Sequence, residues 1–331
     1  MPTGLTVILQ KALRERQGFI DPLHQGAFRL FNGFTEGLPA FSLDIYAQTA
    51  LIHNYSLSAA GIDPAQIIGW LRNDLPWVNC IIMKTREGST TEQKRGQIVF
   101  GSHPADKIIE NGIHYAIHLT MNRDASFYMD TRNLRKWARD TLTGKSVLNT
   151  FAYTGSLGIA ALGGGASHVV QLDKNKNFLN VARQSCELNN FTVPAGNLIA
   201  EDFFPAISRL KKSGQRFDCI FLDPPFFAST AKGRVDLEEN NLRLINKIRP
   251  LINDGGFLVA INNALFVSGS EYISALQSLC ADGYLGLEQI IPIPADFTGF
   301  SESGSNNLPA NPAPFNHSTK IAIMRVRRKL A

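Results

Sequence analysis

The stretch KSVLNTFAYTGSLGIAALGGGASHVVQLD, Lys145 to Asp173, decides the fold. Val147 and Leu148 open an apolar run that breaks into a loop at Asn149 to Gly155. Small residues from Ser156 to Leu162 favour a helix, and Val169 to Leu172 form a second apolar run that ends on Asp173. Strand, helix and strand in this order make a βαβ unit, and hence part of an α/β sheet.

The loop reads Tyr153-Thr154-Gly155-Ser156-Leu157-Gly158, the pattern G-x-G-x-x-G with tyrosine at its first glycine. In dinucleotide-binding folds those glycines let backbone and helix N-terminus approach a pyrophosphate, so a bulky first residue argues against NAD or FAD. An adenosine ligand without phosphates still needs a tight loop and an acid for its ribose hydroxyls. Asp173, at the second strand's end, is placed to be that acid, and S-adenosylmethionine (SAM) fits the description. The loop alone could equally be a βα turn of another α/β protein.

A second motif narrows the choice. Phe217 to Leu222 (FDCIFL) is a nearly continuous apolar run, as expected of a strand buried on both faces, and it exits through Asp223-Pro224-Pro225-Phe226. Ligands of open α/β sheets bind at the carboxyl ends of the strands, which puts Asp223 beside the Gly155 loop. The two prolines remove backbone donors and stiffen the chain, while Phe226 offers a flat face to a planar ring.

NTFAYTG, QLD, EDFF and DPPFF, taken in order, resemble the motifs of class I SAM-dependent methyltransferases. In particular they are similar to those of the bacterial large-subunit rRNA methyltransferases that modify cytosine C5 or guanine N7. FYMDTRNLR (Phe127 to Arg135) is similar to that family's aromatic-x-x-Asp-x-Arg element. The resemblance covers roughly residues 25 to 265. It implies a Rossmann-like sheet with helices on both faces, preceded by a small α+β domain. It also implies a SAM site built from Asp130, Arg132, Asn149, Phe151, Tyr153, Thr154, Gly155, Asp173, Lys174, Asp202 and Phe203, with Asp202 and its neighbour at the adenine. Asp202 reads as well as the N-cap of a following helix, and one residue can serve both roles. Asp223, Pro224, Pro225 and Phe226 become the catalytic floor, and Asn262 and Asn263 contact the substrate.

Composition sets outer bounds. The 331 residues are enough for about two domains, and 44% hydrophobic with 18% charged residues describes a soluble globular chain. No apolar run is long enough to span a bilayer, and the N-terminus lacks a signal-peptide pattern, so no membrane role and a cytoplasmic location are expected. Cys80, Cys186, Cys219 and Cys280 form no C-x-x-C pair and the seven histidines are scattered, so neither a disulfide framework nor a metal site is expected. A net charge of +5 suits a polyanionic partner without requiring one.

Along the chain, Lys11, Arg14 and Arg16 mark a basic first helix, and Arg29 to Ser56 alternates apolar runs with Gly and Pro breaks as a β-meander. A helix follows from Asp63 to Leu75, with Asp63 as N-cap and Pro64 first. Arg86 to Arg95 reads as a loop and Ile108 to Leu119 as a hairpin turning on Asn111-Gly112. These readings set domains at 1–106 and 107–331. The residues ahead of Arg29 are too few for the RNA-binding PUA domain of longer family members. In the helix Asn133 to Leu142, Arg135, Lys136 and Arg139 are expected to face outward, as a solvated face or an RNA contact. Thr298 to Pro314, rich in Gly, Ser, Asn and Pro, is expected to be a mobile loop or a return hairpin.

The choice of nucleophile follows from chemistry. Cytosine C5 reacts only after a cysteine thiolate has added to C6, and cytosine-C5 members of the family carry a cysteine after the fifth strand. Here Asn262-Asn263 stands at that place, and Cys219 is mid-strand. A guanine ring nitrogen has its own lone pair, and an exocyclic amine needs only acceptors such as Asp223 and the Pro224 carbonyl. The expectation is an RNA base methyltransferase, large-subunit rRNA being the partner, with guanine nitrogen favoured over cytosine C5. A methyltransferase for a small molecule or a protein amide remains open. So does a non-catalytic SAM- or RNA-binding module, although intact Gly155, Asp173 and Asp223 argue against it.

Overall fold

The computed structural model describes residues 4–56, 63–225, 229–230, 233–234, 237–300 and 309–328. Two compact units result: Met1–Met129 with Pro294–Asn307, and Asp130–Ile293 with Leu308–Ala331.

The first unit contains α1 (Gly4–Glu15), β1 (Ala27–Asn32), β2 (Phe41–Tyr46), β3 (Thr49–Asn54), α2 (Pro64–Asp74), β4 (Cys80–Thr85), α3 (Thr91–Arg95), β5 (Gln97–Phe100) and the hairpin β6 (Lys107–Glu110) and β7 (Ile113–Ala116). Strands β1 to β5 form one sheet in chain order. The meander is antiparallel as far as β3, and α2 then carries the chain across so that β4 runs parallel to β3. Leu30, Leu43, Ile52 and Ile81 pack beneath Leu9 of α1 and Trp70 and Leu71 of α2. The start of α2 is local chemistry: Asp63 accepts the Ala65 N–H at 2.9 Å, and Pro64 occupies a position whose missing N–H costs nothing.

Two expectations change, one at Arg86 to Arg95 and one at Arg135. The first compact unit runs to Met129, with the hairpin tied to it: the Ile109 N–H donates to the Gln25 carbonyl at 2.8 Å, and Tyr46 Oη donates to the Phe127 carbonyl at 3.0 Å. Arg86 to Arg95 is not all loop, since Thr90 and Gln93 form a capping box that starts α3. Arg16 is fully buried, with its guanidinium forked onto Glu36 at 2.8 and 2.9 Å. Arg135 is also fully buried and donates to Thr131 Oγ1 at 2.7 Å, while Lys136 and Arg139 both pair with Asp140. The outward basic face expected there is therefore reduced to Lys136 and Arg139, which share the one Asp140 carboxylate.

The second unit contains α4 (Arg132–Thr141), β8 (Ser146–Thr150), α5 (Ser156–Gly163), β9 (His168–Asp173), α6 (Lys176–Leu188), β10 (Leu198–Ala200), α7 (Phe203–Lys212), β11 (Phe217–Leu222), the short pair β12 (Ser229–Thr230) and β13 (Gly233–Arg234), α8 (Leu237–Ile248), β14 (Ile252–Asn262), α9 (Gly269–Ser278), β15 (Leu285–Ile290) and β16 (Lys320–Val326). A short α10 (Ala295–Thr298) belongs to the first unit.

The main sheet runs β10-β9-β8-β11-β14-β16-β15. Its first five strands are parallel, and β16 is antiparallel to both neighbours. Leu148, Ile220, Leu222 and Leu258 meet Ile207, Ile245 and Leu276 from the helices. This is the mixed α/β architecture expected from the βαβ unit. The strand order reverses between β8 and β11, which opens a crevice at their carboxyl ends, where the Gly155 loop and Asp223 both emerge. Among the described residues no helix is long and apolar enough to cross a membrane.

Candidate active site

The loop from β8 into α5 is held in an unusual backbone path. Phe151, Tyr153 and Gly155 all have positive φ, at 54°, 51° and 79°. For the two aromatics this left-handed conformation costs roughly 1–2 kcal/mol each. Tyrosine thus replaces the first glycine of the fingerprint while keeping a glycine's backbone. What holds it there is Asp173: the Tyr153 N–H donates to Oδ2 at 2.9 Å and the Asn175 N–H to Oδ1 at 2.8 Å. The Tyr153 ring packs edge-on against Phe178, with centroids 4.5 Å apart.

Below the loop, Asn149 Nδ2 donates to Gln171 Oε1 at 2.8 Å, and Gln171 Nε2 donates to the Gly155 carbonyl at 3.0 Å. Asn149 is buried, so it supports the loop through Gln171. Both glycines are needed for this closeness: a Cβ on Gly155 would lie 2.6 Å from Ala182 Cβ, and one on Gly158 would lie 2.3 Å from Gln171 Nε2. Thr154 is buried within the turn.

The other residues expected at a nucleoside lie at the end of β9 (Asp173, Lys174), at the start of α7 (Asp202, Phe203) and at the start of α4 (Asp130, Arg132). Burial raises the Asp173 carboxyl, offset in part by the N–H groups of Asn175 and Tyr153 and by the charge of Lys174, which is exposed. Asp202 is exposed and caps α7, accepting the Phe204 N–H at 3.1 Å. Phe203, the next residue, stacks on Phe151 with centroids 4.9 Å apart and a 15° interplanar angle. Asp130 accepts from Thr319 Oγ1 at 3.0 Å, and Arg132 begins α4 half-buried.

This donor set suits an uncharged ribose and a flat adenine: a strand-end carboxylate, a further carboxylate and a stacked aromatic pair with Phe203 buried and Phe151 half-buried, beside a loop that carries tyrosine at its first glycine position. It fits SAM. The Gly155 loop and Asp173 would take its adenosine end, while Asp130 stands near Asp223.

At the end of β11, Asp223 is half-buried, with Pro224 beside it and Pro225 exposed; Phe226 lies outside the described residues. Burial, with a smaller push from the Asp130 charge, raises the Asp223 carboxyl from its ordinary value to about 7. Asn262 is buried at the end of β14, and its Oδ1 accepts the Ala264 N–H at 2.9 Å, so it shapes the turn, while Asn263 is exposed. Leu265 and Phe266 follow as exposed apolar residues, Phe266 at 71%.

Two neighbours escaped the sequence reading. Lys320 is buried, with Nζ donating to the Ala264 and Ser318 carbonyls at 2.9 and 2.7 Å, and burial lowers its ammonium to about 8. Tyr272 of α9 is buried with its hydroxyl unpartnered among the described residues. The pairing of Asn262 with Lys320 across β14 and β16 brings Lys320 to this edge from far along the chain.

No thiol is suited to nucleophilic attack. Cys219 is fully buried in β11, and burial raises its thiol well above the ordinary value. Burial likewise raises Cys80, Cys280 and Cys186, the last to about 11. Among the described residues no cluster of His, Cys, Asp and Glu could hold a metal ion.

The chain is 28% identical over 293 residues to ribosomal RNA large subunit methyltransferase I of Yersinia pseudotuberculosis, an alignment covering 83% of this chain and 70% of the relative; the protein of that name from Yersinia pestis matches equally. Among solved structures, a chain described as a methyltransferase complexed with SAH superposes with a TM-score of 0.84 at 21% identity, covering 97% of this chain and 80% of that one. The tRNA m1G37 methyltransferase of M. jannaschii gives a TM-score of 0.55 at 12% identity, over 98% of this chain and 79% of that one. At such identities the two structures speak for the fold. The model of the S-adenosylmethionine-dependent methyltransferases matches residues 85–278, more than half of the chain. With SAM as its cofactor, this chain belongs to the S-adenosylmethionine-dependent methyltransferase family.

Proposed function

We propose that this enzyme methylates a guanine nitrogen in RNA, with large-subunit rRNA as the substrate. The observation that carries the reading is the pairing of a half-buried Asp223 at the crevice with the lack of any accessible cysteine beside it. Addition to cytosine C6 requires a thiolate, and burial raises all four thiols above their ordinary value, away from that form. The Yersinia relatives named for ribosomal RNA support the substrate class.

Bound SAM supplies a methyl group on a sulfonium, already activated for in-line displacement. The protein's task is then alignment, which can contribute several kcal/mol. Asp173 and the Gly155 loop fix one end of the site, and Asp223 with the Pro224 carbonyl orients the base at the other. Guanine N7 reacts through its own lone pair and no proton need leave, whereas N1 carries a proton that must be given up. An exocyclic amine must lose one, and a carboxyl near 7 is matched to accept it at neutral pH. A base inside a duplex cannot reach such a crevice, so it must leave the stack. Phe226, part of the expected floor, lies outside the described residues.

The test is methyl transfer from labelled SAM to purified large-subunit rRNA, followed by digestion to nucleosides and mass spectrometry. A methylguanosine is expected. A 5-methylcytidine product would overturn the base assignment, and transfer to protein or small molecules with none to RNA would overturn the substrate class.

A further inference from the structure

Tyr272 sits in the first turn of α9, where Ser268 and Glu271 form a reciprocal capping box. Its ring belongs to the core that includes Leu222, the residue before Asp223, and lies 5.8 Å from the Phe315 ring. Phenylalanine would fill this space equally well. The side chain is 3% exposed and its hydroxyl has no hydrogen-bond partner among the described residues. Buried hydroxyls are almost always satisfied, and this one lies within electrostatic reach of the Asp223 carboxylate.

We infer that the Tyr272 hydroxyl is a positioning donor for Asp223: when a base occupies the crevice, it hydrogen-bonds one carboxylate oxygen and leaves the other to accept from the substrate. Such a bond fixes the carboxylate's rotation and favours its ionised, accepting form. The inference rests on the function proposed above. Of the other charged groups at this edge, Asp130 repels the Asp223 charge, Lys320 is held by two carbonyls, and Glu271 is held in the capping box. Among the described residues Tyr272 is a buried donor whose hydrogen remains to be used, and burial together with the Asp223 charge keeps its phenol protonated.

The experiment compares the full-length enzyme with Tyr272→Phe and Asp223→Asn, using SAM and rRNA. For Tyr272→Phe, kcat should fall roughly tenfold, the size of a lost bond to a charged group, with KM for RNA and the Kd for SAM within about twofold. The acid limb of kcat against pH should move up by about one unit, because the carboxylate loses a stabilising donor. Its melting temperature should hold or rise, since a buried unpartnered hydroxyl has been removed. Unchanged kcat and pH limb would overturn the inference, as would a lower melting temperature with KM and kcat both impaired, the mark of a packing role. If Asp223→Asn keeps full turnover, the proposed site falls and the inference with it. If Asp223→Asn is inactive while Tyr272→Phe behaves as the parent, only the role of Tyr272 falls.

Discussion

At Tyr153, backbone strain and ligand recognition meet. An aromatic held at positive φ is retained because the Asp173 carboxylate takes its N–H, so the acid expected at a ribose also fastens the loop beside it. Asp173→Ala should therefore weaken SAM binding at least tenfold by calorimetry, from the loss of carboxylate hydrogen bonds worth about 1.5–3 kcal/mol. Unchanged affinity would remove Asp173 from the site. Asp223 carries a different signature. Its folded carboxyl sits near 7, above its ordinary value of 3.8. Between those values the folded state binds more protons than the unfolded one, so this group's contribution to stability falls as pH rises and is fully unfavourable above 7. Asp223→Asn should match the parent's stability near pH 4 and exceed it by on the order of 1–3 kcal/mol above pH 7, while losing turnover. Denaturant titrations at both pH values check this, and an equal difference at each would contradict it.

Among the elements, α9 is the one whose placement the site depends on. Its first residue, Gly269, donates its N–H to the Asn311 carbonyl at 2.9 Å, and a Cβ there would lie 1.8 Å from the Pro312 carbonyl oxygen. Gly269→Ala should push the helix start away and cost about 1–3 kcal/mol of stability. Because Tyr272 shares that turn, kcat should fall as well; chemical denaturation and steady-state kinetics report the two effects separately. Elements governed by local chemistry were legible in the sequence: the Asp63 cap of α2, the Asn111-Gly112 hairpin, the βα loop and the apolar β11. Helix α3 was also legible, in Thr90 and Gln93, but a polar composition concealed it. Arg16 and Arg135 were not, because their burial is set by tertiary packing, Arg16 against Glu36 twenty residues on and Arg135 folded back on Thr131. Charge on a helix says nothing about which way a long side chain folds.

For the whole molecule, the sheet order with an antiparallel β16 is the feature that sequence alone left undecided, and it brings Thr319 and Lys320 to the crevice edge from far along the chain. Motifs near strand ends could be read because open α/β sheets bind ligands there; residues arriving from the last strand carry no local mark. A net charge of +5 is a modest attraction for a polyanion, so RNA affinity should fall with added salt, with a log–log slope of only a few units. Binding isotherms at several salt concentrations test this, and a flat dependence would contradict an RNA substrate. Replacing all four cysteines by serine or alanine should leave kcat within a few-fold once folding is confirmed, and a trapped covalent RNA adduct would contradict that.

Methylation of a guanine nitrogen in RNA without a cysteine nucleophile can be checked by mass-spectrometric mapping of large-subunit rRNA from cells with and without this gene. Without the gene one guanosine should lose a methyl group on nitrogen, and it should regain it when the gene is restored. Loss of a 5-methylcytidine, or an unchanged nucleoside map, would contradict it.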